Sequence, residues 1–156
     1  MATTAEIDRI MVQLTRAFDG EAWHGPAVLE LLSDVDAKTA AARPIPGAHT
    51  IWELTMHIQG WEGVIRRRLG GEALTLSEDE DFPKIKDTSE AAWQAALEGL
   101  RREHKALLDV VSKTEDERLS EKVPGKNYNV YFMLHGAVQH ALYHAGQIAV
   151  LKKARK

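Results

Sequence analysis

The last quarter of the chain carries an apolar stripe at helical spacing that is interrupted by two histidines. The stripe consists of Met133, Ala137, His140, Ala141, His144, Ile148 and Leu151. Residues four apart lie on one face of a helix, one turn above each other, so His140 and His144 point the same way. A buried imidazole needs polar partners, and packing alone does not explain two of them on a stripe that faces a core. The pair is therefore a candidate chelator of a metal ion, on a helix predicted over residues 129–153.

Apolar residues recur at helical spacing elsewhere too, and strand-like alternation is absent, which predicts an all-α fold. Besides the last helix, long helices are predicted over residues 4–18, 50–69 and 89–112. Four long amphipathic helices in a chain of 156 residues are expected to form a four-helix bundle. The connection from Gly71 to Thr88 is too long for a tight hairpin between its two helices. It predicts a crossover that allows the helices beginning near residues 50 and 89 to run parallel.

Local signals mark the ends of several helices. Pro26 is suited to the first turn of a short helix over Ala27–Leu32, because its missing N–H would be unpaired there in any case. Asp87, followed three residues later by Glu90, predicts a capping box at the start of the third long helix.

A third histidine, His57, lies on the apolar stripe of the helix at 50–69. With a rise of ~1.5 Å per residue, His57 lies about 10 Å into its helix, and His140 and His144 lie roughly 16–22 Å into theirs. If these helices are antiparallel and the shorter is about 30 Å long, the three imidazoles share one depth. We therefore predict a triad of His57, His140 and His144. A hydrogen-bonded core histidine is the alternative for His57 considered alone.

The other four histidines are predicted to lie outside this triad. His104 is on the core stripe of its helix, but a parallel arrangement would leave it about 10 Å from the level of His57, so we expect a structural histidine. His24, His49 and His135 are expected at the surface, with a place at a pocket mouth as the alternative for His24 and a capping position for His49.

Three imidazoles without a carboxylate would leave a divalent ion its full charge and an open coordination position, as in catalytic sites. Zn²⁺ and Ni²⁺ both suit imidazole donors. Such an ion could acidify bound water or bind a thiol as thiolate, and a thiol would have to come with the substrate, since the chain has no cysteine. A zincin-type metalloprotease is excluded, because Ala141 stands where the glutamate after the first histidine is required. Tyr143 and Gln147 could support the ligands, with packing as the alternative.

Charge and composition exclude several other classes of function. A net charge of −3 gives no overall attraction to nucleic acid or to an anionic membrane. The local clusters Arg66–Arg68 and Lys152–Lys156 close predicted helices, so we expect them to be solvated ends that complement the helix dipole. No apolar run approaches the ~18 residues of a membrane span, and the N-terminal residues lack the pattern of a signal peptide. With no cysteine present, these features predict a cytoplasmic protein.

Two segments, Ile51–Ile58 and His140–Ile148, resemble the DinB/YfiT-like metalloenzymes of the DinB superfamily. The likeness in pattern extends from the N-terminal helix, through the Trp23–Pro26 turn, to the end of the chain. It implies a single DinB-like domain over residues 1–156 and a four-helix bundle with up-down-down-up topology. It also implies a divalent-metal site of three histidines, whose matching positions here are His57, His140 and His144.

The resemblance also implies a range of functions. Relatives include thiol-dependent S-transferases that use bacillithiol and a mycothiol-dependent maleylpyruvate isomerase, and dimers are common. The leading hypothesis is a metal-dependent enzyme that joins a low-molecular-weight thiol to a small-molecule substrate. The alternatives are a metal-dependent hydrolase and a non-catalytic metal-binding or stress-response dimerisation module. A homodimer could use the first helix or a face of the second long helix on which Trp52 is expected to be exposed.

Overall fold

A computed structural model describes residues 5–154, and within that range the chain is helical and forms no strand. The α-helices are α1 (Glu6–Phe18), α2 (Val28–Leu32), α3 (Ala37–Ala41), α4 (Ile51–Leu69), α5 (Glu78–Asp81), α6 (Glu90–Val111) and α7 (Val130–Lys153), and a 3₁₀ turn spans Asp116–Ser120. The all-α prediction is confirmed. The four predicted long helices correspond to α1, α4, α6 and α7, although the predicted start of the first, at residue 4, lies outside the described residues.

Two helical turns were not predicted from sequence, α3 and α5. Each is too short to show a hydrophobic period, and contacts with other parts of the chain hold α3 in place. Glu90, predicted to close a capping box, instead accepts a hydrogen bond from the backbone N–H of Ala37 at 2.8 Å. The N-cap of α6 is Ser89, whose hydroxyl accepts from the N–H of Ala92 at 3.2 Å.

The contacts between α4 and α6 show that the two helices run parallel: early residues of one meet early residues of the other, and late residues meet late residues. Near their starts, the rings of Trp52 and Trp93 lie 5.1 Å apart. Further along both helices, Nδ1 of His104 lies 2.9 Å from Oε1 of Glu62. The long connection between α4 and α6 accommodates this arrangement, and α5 forms one turn within it.

The contacts between α4 and α7 show that these two helices run antiparallel. The end of α4 meets the residues before α7, where Arg68 donates to the hydroxyl of Tyr128 at 2.9 Å. The middle of α4 meets the middle of α7 through His57 and His140. This opposed packing brings the predicted triad residues to one depth.

Trp52 is buried rather than exposed, which removes the face of α4 predicted as one possible dimer surface. Its side chain is only 3 % exposed and packs against Trp93, whose indole N–H donates to the carbonyl oxygen of Val35 at 2.7 Å. The prediction failed because α4 is covered by α3, α6 and α7, so more than one of its stripes faces the interior.

The Arg66–Arg68 cluster is not a uniformly solvated helix end. Arg66 and Arg67 form ion pairs with Glu103 and Glu72, respectively. Arg68 is only 4 % exposed, and its guanidinium donates to backbone and phenolic oxygens.

The basic tail is also partly engaged. Lys152 donates to the carbonyl oxygen of Leu31 at 2.6 Å and pairs with Asp34, while Arg155 and Lys156 lie outside the described residues. Across residues 5–154, no helix combines the length and the apolar character needed to cross a membrane.

Candidate metal centre

Local structure at the start of α4 fixes the depth of His57. Thr50 and Glu53 form a reciprocal capping box, in which the Thr50 hydroxyl accepts from the N–H of Glu53 and the Glu53 carboxylate accepts from the N–H of Thr50. The cap is therefore Thr50, and His49 is an exposed neighbour. Because the helix begins at Ile51, His57 lies about two turns in, on the side that faces α7.

The structure brings the ring nitrogens of His57, His140 and His144 together. Nε2 of His140 lies 2.9 Å from Nε2 of His57 and 3.1 Å from Nε2 of His144. His57 and His144 are each only 6 % exposed, and His140 is half-buried. Among the described residues, these three form the one group of histidine, cysteine or acidic side chains whose donor atoms lie close enough to share an ion.

Hydrogen bonds at the other ring nitrogen set the tautomers of two of these histidines. Nδ1 of His57 lies 2.9 Å from the backbone carbonyl oxygen of Asp81, which can only accept, so this nitrogen carries the proton. Nδ1 of His144 lies 2.5 Å from Oε1 of Gln147 and donates to it. Both Nε2 atoms consequently present lone pairs toward His140. If Nε2 of His140 carries a proton, it can donate to only one of these two lone pairs. A cation could instead accept the lone pairs of all three Nε2 atoms.

The spacing of the nitrogens also fits a shared ion. Ligands about 2.1 Å from one ion are about 3.0 Å apart at right angles and about 3.4 Å apart in a tetrahedron. The observed separations of 2.9 and 3.1 Å match a facial arrangement and are a few tenths of an ångström short for a tetrahedral one. Small ring rotations would accommodate either geometry.

Burial favours the ligating, neutral form of two rings of the cluster, those of His140 and His144. Burial, and then repulsion from His144 and His57, lower the pKa of His140 from 6.5 to about 3. Burial also lowers the pKa of His144, although the hydrogen bond to Gln147 acts in the opposite direction. Since metal ions bind neutral imidazole, no proton has to be displaced from these two rings at neutral pH.

The depressed pKa values predict how the stability of the metal-free protein depends on pH. The unfolded chain takes up protons near pH 6.5, whereas the folded protein leaves His140 neutral until about pH 3. Stability is therefore greatest above pH 6.5 and falls as the pH decreases, by up to about 1.4 kcal/mol per pH unit for each such imidazole. Urea unfolding between pH 7 and 5 measures this slope. We expect His140→Leu to be less sensitive to pH, and an identical slope would contradict the account.

Residues from the long connection complete the surroundings of His57. The ring of Phe82 stacks on that of His57, with centroids 4.1 Å apart, and on its other side stacks on His49 at 3.7 Å. The carboxylate of Asp81 accepts from the indole N–H of Trp61 at 2.7 Å. Asp81 and Phe82 were not predicted as site residues, because this connection was interpreted only as a crossover. Its unusual length was the available signal, since long connections in compact domains are often functional.

Gln147 is one of the two residues that could support the ligands, and its contact with His144 predicts a measurable effect. Gln147→Leu removes the acceptor that orients the His144 ring, and loss of such a partner typically costs about 10–100-fold in metal affinity. We expect a corresponding rise in the Kd for Zn²⁺, measured by competition with a chromophoric chelator. Gln139→Leu, at an exposed position of the same helix, is the matched control and should bind as wild type does. Equal affinities in the two variants would show that Gln147 has no such role.

The remaining predicted residues lie away from the cluster or at its edge. His104 is hydrogen-bonded to Glu62, and its ring stacks on that of Phe18 with centroids 3.7 Å apart, as expected for a structural histidine. His24 and His49 are exposed, and His135 is half-buried beside Tyr131. Tyr143, which is largely exposed, lies edge-on to His144 with ring centroids 5.1 Å apart.

A cavity of about 400 Å³ opens on the three histidines. Its wall is mainly apolar and includes Trp61, Phe132 and Met133, and Arg68 also lines it. An ion held by three side chains in the wall of such a cavity would keep positions open to a small molecule.

Helical architecture and a buried histidine cluster beside a cavity define the class of protein: an all-helical protein with a candidate three-histidine metal centre. The model of the DinB superfamily matches residues 22–148. The chain therefore belongs to the DinB superfamily. No curated protein and no solved structure matches it.

Proposed function

We propose that this protein is a divalent-metal-dependent enzyme that transfers a low-molecular-weight thiol to an electrophilic small molecule. The observation that carries the proposal is the convergence of three Nε2 atoms, two of them held as lone-pair donors, in the wall of a cavity. Membership of the DinB superfamily supports metal binding, and we propose Zn²⁺ or Ni²⁺, both of which suit imidazole donors.

When bound, a divalent ion would supply Lewis acidity that stabilises a thiolate or hydroxide at neutral pH. His57, His140 and His144 would hold it, and they would contribute no negative charge of their own. Asp81 and Gln147 orient two of the rings, and Phe82 covers one face of His57. The apolar side chains of the cavity wall would offer the substrate an apolar surface beside the ion.

The thiol must be a separate molecule, because the chain has no cysteine. In the proposed reaction the thiol loses its proton to solvent, its sulfur forms a bond to the electrophilic carbon, and the leaving group departs with the electron pair. No oxidant or reductant is needed.

The test combines the metal-loaded protein with a panel of thiols and 1-chloro-2,4-dinitrobenzene, with chloride as the leaving group. We expect faster thioether formation than the uncatalysed rate, and loss of this excess rate in His140→Ala. Hydrolysis of p-nitrophenyl acetate without any thiol would instead favour the metal-dependent hydrolase. Metal binding that raises the melting temperature with neither activity would favour the non-catalytic module.

We further propose that residues 1–156 form one domain in which α1, α4, α6 and α7 make an up-down-down-up four-helix bundle. The parallel contacts of α4 with α6 and the opposed contacts of α4 with α7 support this topology. We also propose a cytoplasmic homodimer that buries part of α1, where Val12 is exposed, and that binds no nucleic acid. Sedimentation equilibrium tests the dimer, and Val12→Glu should yield the monomer.

A further inference from the structure

Arg68 is a buried cation whose partners are all neutral. Its Nε and Nη2 donate to the carbonyl oxygen of Leu74 at 3.0 and 2.6 Å, and its Nη1 donates to the hydroxyl of Tyr128 at 2.9 Å. Among the ion pairs of the described residues, none includes Arg68, whereas the adjacent Arg66 and Arg67 each have one. Within residues 5–154, the positive charge of Arg68 is therefore buried without a counter-ion.

Burying an unpaired charge is costly, so its presence needs an explanation. A guanidinium has five N–H groups, and the three hydrogen-bonding nitrogens of Arg68 account for three of them. One N–H on each terminal nitrogen remains available. Arg68 borders the cavity that opens on the histidines, so these donors have a place where a ligand could reach them.

Two polar groups line the cavity, Arg68 and the histidine cluster, and the aromatic ring of Trp61 lies near both. The ring centroid of Trp61 lies 5.6 Å from Cζ of Arg68 and 6.0 Å from the ring centroid of His140. Ile65, Phe132 and Met133 are among the other residues that line it. A molecule of modest size could therefore touch Arg68 and the histidine cluster at once while its middle lies along an apolar surface.

The charges along this cavity favour an anion. Within residues 5–154, Asp81 is the one acidic residue that lines it, and its carboxylate accepts from the Trp61 indole and lies 3.0 Å from Nδ1 of His57. That carboxylate is thus hydrogen-bonded beside His57, and it forms no ion pair with Arg68.

We propose that Arg68 binds the carboxylate of the substrate, whose apolar body lies along Trp61 and whose reacting end lies at the histidines. The inference rests on the proposed function, in that it takes the histidine end of the cavity as the reacting end. A carboxylate is a planar monoanion that matches the fork of a guanidinium and balances its single charge. A phosphate dianion would require further cations, and no lysine lines the described part of the cavity.

Binding to metal-free protein tests Arg68 separately from the metal. The probes are 3-phenylpropanoate and its uncharged analogue 3-phenylpropanamide, titrated into chelator-treated protein and followed through the ¹⁵N-labelled indole resonance of Trp61. We expect the carboxylate to bind wild type and Arg68→Met to bind it at least about tenfold more weakly. The amide should bind all variants weakly and equally.

Two variants serve as controls. Arg67→Met removes an exposed neighbouring arginine that is paired with Glu72, and it should bind the carboxylate as wild type does. Tyr128→Phe removes one neutral partner of Arg68 while keeping the charge, and it should retain binding. If Arg68→Met does not fold, preference of wild type for the carboxylate over the amide, retained in Tyr128→Phe, remains the supporting result.

Three results would overturn the inference. They are equal binding of carboxylate and amide, equal carboxylate binding by folded Arg68→Met and wild type, and no binding of either probe. If the carboxylate bound only to the zinc-loaded protein, and equally well to wild type and Arg68→Met, the ion would be the partner of the carboxylate. The role of Arg68 would then fail, while the proposed metal site would survive. If the metal-free protein bound it through Arg68 but took up no metal, only the proposed function would fail.

Discussion

His140→Ala is expected to lower the affinity for Zn²⁺ or Ni²⁺ by more than about 100-fold, because removing a ligand should cost more than removing the outer partner of one. His140 occupies the middle of the cluster, with its Nε2 within 3.1 Å of both other Nε2 atoms. The variant would keep only two of the three ligands, those of His57 and His144, and would lack the nitrogen that lies between them. Elemental analysis after dialysis against each metal measures the effect.

The variant should nevertheless remain folded. Burial lowers the pKa of His140, so at neutral pH the substitution removes an uncharged side chain and breaks no ion pair. His135→Ala, on the same helix but outside the cluster, is the matched control and should retain full metal content. Equal metal content in His140→Ala and wild type would contradict the ligand assignment.

His104→Ala is expected to have the opposite phenotype, a loss of stability of about 3 kcal/mol with unchanged metal content. His104 and Glu62 are both buried and share a hydrogen bond of 2.9 Å, and His104 also stacks on Phe18. Burial raises the pKa of Glu62, an effect that His104 partly offsets. Removing His104 leaves that carboxyl group buried without its partner.

Urea unfolding of the metal-free protein measures the destabilisation. The double variant Glu62→Leu/His104→Leu is the control, because replacing both members of a buried polar pair costs less than orphaning one. Loss of metal from a folded His104→Ala variant would contradict the assignment of His104 as a structural histidine that does not contribute to metal binding.

Most of the helical framework could be predicted because each long helix carries its own periodic stripe. The same periodicity selected His57, His140 and His144, since residues on one stripe of a packed helix must face the interior. Choosing His57 rather than His104 as the third ligand also required the relative direction of the two helices. The length of the connection over residues 70–89 indicated that direction, because it allows the helices to run parallel. The contacts of α6 with α4 agree with the parallel arrangement it favoured.

What could not be predicted depends on contacts between distant parts of the chain. Asp81 and Phe82 reach His57 from a connection that has no hydrophobic period, so nothing local marks them as neighbours of the site. Trp52 was misassigned because its environment depends on how many helices cover α4, a property of the assembled fold. Arg68 offered a weaker signal: successive residues of a helix are about 100° apart, so three arginines in a row cannot all face solvent on a covered helix.

The most direct test of the metal centre is an anomalous difference map from crystals of the full chain grown with Zn²⁺, recorded at the zinc absorption edge. We predict one peak per chain, with Nε2 of His57, His140 and His144 each about 2.0–2.1 Å away. A peak bound elsewhere, or none at these three nitrogens, would contradict the assignment and leave the cluster a set of buried polar side chains.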